Sequence, residues 1–129
     1  LLAIEYEKIA EKFVGEPNYD VYMDKAKEYY QKAIDINPNE RLANYNLGLL
    51  YYNSGVTKAN NLEPGADILE IFRVQDEVTK LFKEALPYMQ KSFEIDPKRK
   101  DTIIALDNIY TALNNTEKAK YYRDLLKTL

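Results

Sequence analysis

Apolar residues recur along most of the chain at three- and four-residue steps. Tyr52, Val56, Ala59 and Leu62 form one such series, and Ile68, Leu69, Ile71, Phe72, Val78, Leu81 and Phe82 form the next. That spacing gathers apolar side chains on one face of a helix. Between them Glu63-Pro64-Gly65 is a turn signal, so the two series predict a pair of long antiparallel helices. Upstream, Leu42, Tyr45, Leu47, Leu49, Leu50, Tyr51 and Tyr52 leave hardly any polar face. A helix apolar on nearly all sides is buried between layers or faces a ligand. The last stretch, Thr116 to about Lys127, keeps one side wet with Lys118, Lys120, Arg123 and Lys127, and a first helix is expected from Leu1 to about Val14.

The joints between these stretches carry their own chemistry. Asn37-Pro38-Asn39-Glu40 predicts a capping asparagine, a proline at the first helical position and a capping-box glutamate, and Asp96-Pro97 repeats the device without the glutamate. Asn114-Asn115 stands where a turn glycine is usual, and asparagine tolerates the left-handed conformation needed there. Pro87, inside the returning long helix, removes a hydrogen bond to the Lys83 carbonyl, so a kink is expected. Gly48 in a helix interior costs roughly 1 kcal/mol relative to alanine. Close approach of a partner helix, helped by Ala26 and Ala85, is the expected compensation.

The segment Tyr29–Pro38 returns as Tyr88–Pro97, with five of ten positions identical. From Ala85 to Ala119 and from Tyr88 to Tyr122 the step is 34 residues, so the offset of 59 between the first two copies is one period plus an insertion of 25. After each proline, Leu47, Leu50 and Tyr51 are answered by Leu106, Ile109 and Tyr110. A period of 34 with two helices per unit is the arithmetic of the tetratricopeptide repeat.

The chain resembles a tetratricopeptide-repeat protein of bacterial type. Ala26, Tyr30, Ala33 and Pro38 match the family pattern in a first repeat, and Leu47, Gly48, Tyr51, Ala85 and Pro97 match it in a second. Leu106, Tyr110 and Ala119 match it in a third, with Asp107 where the family favours glycine. The resemblance implies an all-α fold: a right-handed superhelical stack of antiparallel helix pairs, six helices in one domain. The expected repeats span about 1–38, 39–97 and 98–129, and the insertion lengthens the second pair into a projecting hairpin over about 56–78. The first helix fits the pattern least, with about six extra residues before its partner. The long helices, the late proline and the short C-terminal cap resemble bacterial cell-envelope members of the family, so the localisation leans toward the periplasm or envelope.

Reactive chemistry is scarce. The chain has no cysteine and no histidine, which removes thiolate nucleophiles and the usual neutral-pH base. Ser54 sits beside Gly55 with nothing to activate it, and four glycines form no phosphate-binding pattern. No catalytic residue, metal site or cofactor is expected, and the chain is read as not an enzyme. A net charge of −3 gives no pull toward nucleic acid, and Lys98-Arg99-Lys100 reads as a solvated helix entrance. No stretch approaches the roughly 20 apolar residues of a membrane span. The opening Leu1-Leu2-Ala3-Ile4 lacks a methionine and reads as an excerpt of a longer protein.

The resemblance implies a concave groove lined by the first helix of each repeat. Its positions here are Leu42, Tyr45, Leu49, Tyr52 and Asn53, then Asp101, Ile104, Asn108 and Thr111. Two readings of this stripe stand side by side: it holds a partner segment, or the lengthened helices or an upstream repeat cover it. Family members that grip a chaperone's C-terminal carboxylate use a clamp of which only Asn46 remains. Glu5, Ile9, Asp101 and Ala105 occupy the other places, so the clamp is absent and no chaperone-tail receptor is expected. An uncharged or basic peptide remains open, and the expected partner is a protein or peptide. Tyr29, Tyr88 and Tyr122 recur at one repeat position and Tyr51 and Tyr110 at another, which argues for packing. The expected function is a protein–protein interaction scaffold. The alternatives are a homo-oligomer built through the hairpin, on the apolar content of Ile68, Leu69, Ile71 and Phe72, or through the N-terminal face, or an accessory domain of a larger envelope or catalytic protein.

Overall fold

A computed structural model describes residues 2–12 and 18–129. Six helices are found among the described residues, and no strand: α1 (Leu2–Glu11), α2 (Asn18–Ile36), α3 (Arg41–Asn60), α4 (Ile68–Ile95), α5 (Lys100–Ala112) and α6 (Thr116–Leu126). The expected first helix runs from Leu1 to about Val14, and its first residue and its last two lie outside the described residues. Each helix packs on the next, and α3 also touches α5 directly. The fold is an all-α helical repeat.

The longest helices, α3 and α4, pack antiparallel. Gly48 meets the α4 backbone at Ala85 and Met89, whereas Gly55, two turns later, meets Phe82. Their far ends close on a small cluster of Val74, Val78 and Phe82, against which Tyr52, Val56 and Leu62 pack. Asp67 caps α4 by accepting a hydrogen bond from the Glu70 amide at 2.9 Å. Helix α4 runs on through Pro87 without interruption. Two larger cores flank this pair. One joins Ala3, Ala10, Met23, Ala26, Tyr30 and Leu47 across α1, α2 and α3. The other joins Ala85, Met89, Leu106, Ile109 and Ala119 across α4, α5 and α6.

The five recurring tyrosines and Tyr6 form three nearly parallel stacks, one between α1 and α2, one between α3 and α4 and one between α5 and α6. Tyr6 lies on Tyr29 with ring centroids 5.6 Å apart. Tyr51 lies on Tyr88 at 6.0 Å. Tyr110 lies on Tyr122 at 5.8 Å. Offset aromatic pairs add stabilisation beyond their buried area. The sequence pattern supplied five of these six residues. Tyr6 escaped it because it precedes Tyr29 by 23 positions, where Tyr110 precedes Tyr122 by 12.

The helix joints differ from expectation. Pro38 and Pro97 lie in turns before the helices, not at their first positions, and α3 and α5 start at Arg41 and Lys100. Glu40 and Arg99 hold the cap positions without a side-chain capping bond to a backbone amide of the first turn. The reason is local competition: Asn37 Oδ1 accepts from the Asn39 amide at 3.2 Å, and Asp96 Oδ1 from the Lys98 amide at 3.3 Å. Each closes an Asx turn, which spends the side chain before the helix begins. The first joint is also held from inside. Buried Asn44 donates its amide to the carbonyls of Pro38 at 3.2 Å and Glu40 at 2.9 Å. At the last joint Asn114 adopts φ 60°, as expected, and Asn115, for which no cap was expected, caps α6 by accepting from the Lys118 amide at 3.2 Å.

Candidate functional site

Helical spacing sets Leu42, Tyr45, Leu49, Tyr52 and Asn53 along one side of α3, and Asp101, Ile104, Asn108 and Thr111 along one side of α5. Leu42 and Ile104 are 49% and 46% exposed, a large fraction for aliphatic side chains in helices this well packed. Asn53, Asn108 and Thr111 are exposed, whereas Tyr45, Leu49 and Tyr52 are half-buried against the core shared by α4, α5 and α6. Tyr52 is committed furthest inward: its ring lies 5.4 Å from that of Phe82.

Asp101 is tied down at the head of the stripe. Its carboxylate accepts from the Thr102 amide at 2.6 Å and from Arg99 Nη2 at 3.1 Å, and pairs with Arg41 at 3.6 Å. Burial pushes this carboxyl's pKa up, but the hydrogen bonds from Arg99 and Thr102 and the Arg41 charge outweigh it, so the group is held below the usual carboxylate range. The Arg41 guanidinium stands 5.8 Å from the centre of the Tyr45 ring. Burial, then the neighbouring Asp101 charge, raises the Tyr45 phenol above its ordinary value. The one formal charge of the sequence-derived stripe is therefore already compensated. Thr111 bonds back to Asp107 at 3.2 Å, while Asn53 and Asn108 make no side-chain hydrogen bond among the described residues.

Arg41 was not among the expected site residues. A charged residue at a helix entrance carries no pattern that distinguishes it from a solvated one, and its partner Asp101 lies far along the chain. Also missed was a recess of about 630 Å³ where the start of α1, the end of α2 and the start of α3 meet. Ile4, Ala33, Ile36, Leu42 and Ala43 supply apolar walls, and Lys32, Glu40 and Asn46 stand among its polar lining. Among the described residues, no group of three or more acidic side chains converges to hold a metal ion, and no helix is long and apolar enough to cross a membrane.

The tetratricopeptide repeat family model matches residues 22–40, which cover most of α2 and the joint that leads into α3. No curated protein matches the chain. Tetratricopeptide repeats are a non-catalytic repeat family that generally binds protein partners. That match across one helix and its joint, with six helices packed in succession, supports a protein of the tetratricopeptide-repeat type and, at that level, a general protein-interaction module.

Proposed function

We propose that this protein is a scaffold that holds a segment of a partner protein along the stripe formed by α3 and α5. The observation that carries the reading is the pairing of exposed Leu42 and Ile104 with an Asp101 whose charge is already met by Arg41 and Arg99. The result is an apolar track whose own carboxylate is spent, with two guanidiniums at its head. Half-buried Tyr45 and Leu49 supply rigid, largely desolvated surface, the kind from which interface anchors are drawn. The free amides of Asn53 and Asn108 can bond the main chain of a segment lying there.

The three tyrosine stacks support a division into three repeats, α1 with α2, α3 with α4 and α5 with α6, over about 1–38, 39–97 and 98–129. On this division the ends of α3 and α4 over about 56–78 are an extension of the second repeat. The proposed role involves no catalysis by this chain.

A second reading has one specific observation in its favour. At the start of α4, Ile68, Leu69 and Phe72 are 62%, 75% and 55% exposed, enough for self-association through the hairpin tip. Crosslinking capture from an extract of the source cells, comparing wild type with Ile104→Glu, separates the two. Loss of a captured partner in the variant supports the stripe. Unchanged capture moves binding to another face, and capture of the chain alone favours self-association.

A further inference from the structure

We propose that the recess between α1 and α3 is an anchor pocket for a partner segment carrying a bulky apolar side chain next to a lysine or arginine. The proposal rests on the scaffold reading, because the recess continues the stripe: Leu42 belongs to both.

The recess has a packing origin. Helix α3 touches α5, but α1 packs on α2 alone among the described residues, so the first and third helices stand apart. The end of α2 floors the gap. Ala33 and Ala43 are too small to fill it, which gives depth, and Ile36 stands at its edge 86% exposed. Its volume, about 630 Å³, falls within the roughly 300–1,000 Å³ of pockets that bury ligand groups. An isoleucine left so open beside a recess is apolar surface that a bulky side chain would cover.

The charge at the lining selects the neighbour of that side chain. Two charged residues line the recess. Lys32 is already engaged, 3.3 Å from Glu28 and 5.0 Å from the centre of the Tyr29 ring. Glu40 makes no ion pair and no side-chain hydrogen bond among the described residues, although its position caps α3. The unspent charge is negative, so a cationic residue beside the anchor is complementary and an acidic one is repelled. Asn46, also without a side-chain partner, offers its amide to the main chain between the two.

The test uses a bead-displayed library of nonapeptides randomised at every position, selected on the wild-type chain and remeasured by fluorescence anisotropy. Enrichment of a bulky apolar residue next to Lys or Arg is expected. Those peptides should bind Ile36→Glu at least tenfold more weakly, and Glu40→Lys more weakly at low salt with the loss shrinking as salt is added. Both positions lie outside the core, and unchanged helicity by circular dichroism establishes that the variants fold. Enriched peptides without such a pair, or equal binding by wild type and both variants, would overturn the proposal. If binding is then lost only in Ile104→Glu, the scaffold reading survives without the anchor pocket. If no sequence is enriched over bare beads, both fall.

Discussion

Gly48 and Ala85 bring the backbones of α3 and α4 into direct contact. A methyl group at Gly48 would sit 3.2 Å from the Ala85 carbonyl oxygen and 3.1 Å from the Met89 amide nitrogen. Alanine would gain roughly 1 kcal/mol of helix propensity. Against that, overpacking a tight contact typically costs about 1–3 kcal/mol. The obstacle here is main chain, and Ala85 and Met89 are fully buried in the core beyond it, so α4 has little room to retreat. Gly48→Ala is expected to lower stability by about 1 kcal/mol in urea unfolding followed by circular dichroism. A variant as stable as wild type would mean that the two helices part freely.

Gly55 poses the same question with a side chain as the obstacle. A methyl there would lie 2.6 Å from Phe82 Cε1 and 3.0 Å from Cδ1. The ring must move, and its tilted contact with Tyr52 must move with it. Gly55→Ala should therefore destabilise the protein, and Phe82→Leu should do so by leaving a cavity. Combined, the two should cost less than the sum of the singles, because the smaller side chain makes room for the methyl. Strict additivity in the double-mutant cycle would contradict the contact.

These glycines show what the sequence made legible. Gly48 stood out because a glycine in so apolar a helix demands compensation, and its compensation is the α4 backbone. Asn114 was legible for a similar reason, since few residues accept φ 60°. Five of the six stacked tyrosines were legible through their period alone. What was hidden depends on competition or on distance. Asn37 and Asp96 had two local options, and the Asx turn won over the helix cap. Arg41 looks like any solvated residue until Asp101 comes beside it. The recess at Ile36 exists only because α1 and α3 stay apart, and that is a property of packing with no local signature.

The stack of Tyr51 on Tyr88 should carry measurable coupling. Lys27 adds a cation 4.8 Å from the Tyr51 ring centre, and the Tyr88 hydroxyl donates to Gln31 Oε1 at 3.0 Å, linking α4 to α2. Tyr51→Leu and Tyr88→Leu, alone and together, should give an interaction energy of about 0.5–1.5 kcal/mol. Tyr88→Phe keeps the ring and loses the hydroxyl, so it separates the stack from the hydrogen bond. Its expected cost is about 1 kcal/mol, typical of one partly buried hydrogen bond. A cycle that closes at zero would reduce the stacks to incidental neighbours.

Capping at the last joint offers a third kind of contribution. Asn115 is the side chain that holds the first turn of α6 by accepting from the Lys118 amide at 3.2 Å. In the first turn and a half of α6 only Ala119 is buried. Tyr122 and Arg123 make their contacts to α4 and α5 further along, so the cap holds the start of the helix. Asn115→Ala should cost about 1 kcal/mol, and amide exchange should quicken in α6 before it quickens in α5. Uniform loss of protection across both helices would mean that they unfold as one unit.

Glu7 makes the docking of α1 depend on pH. Its carboxylate accepts the Tyr30 hydroxyl at 3.0 Å across the α1–α2 contact. Burial raises the Glu7 pKa above the ordinary 4.5; the Tyr30 hydrogen bond opposes this, and the Glu11 charge adds to it. Burial, then the charge of Glu7, likewise raises the Tyr30 phenol. With the folded carboxyl titrating above the unfolded one, the folded state holds more protons in the window that opens near 4.5. The Glu7 contribution to stability is then most favourable below that value. It declines as pH rises through the folded pKa, and the desolvation penalty is fully felt above it. Glu7→Gln keeps an acceptor for Tyr30 and removes the charge. The variant should be more stable than wild type at pH 7, and the difference should shrink as the pH is lowered toward 4.5. Thermal unfolding of both proteins at a series of pH values measures that difference directly, and carboxylates not coupled to Glu7 cancel in it. Parallel curves would show that Glu7 titrates alike in the folded and unfolded chain, and that α1 is not docked through a desolvated carboxylate.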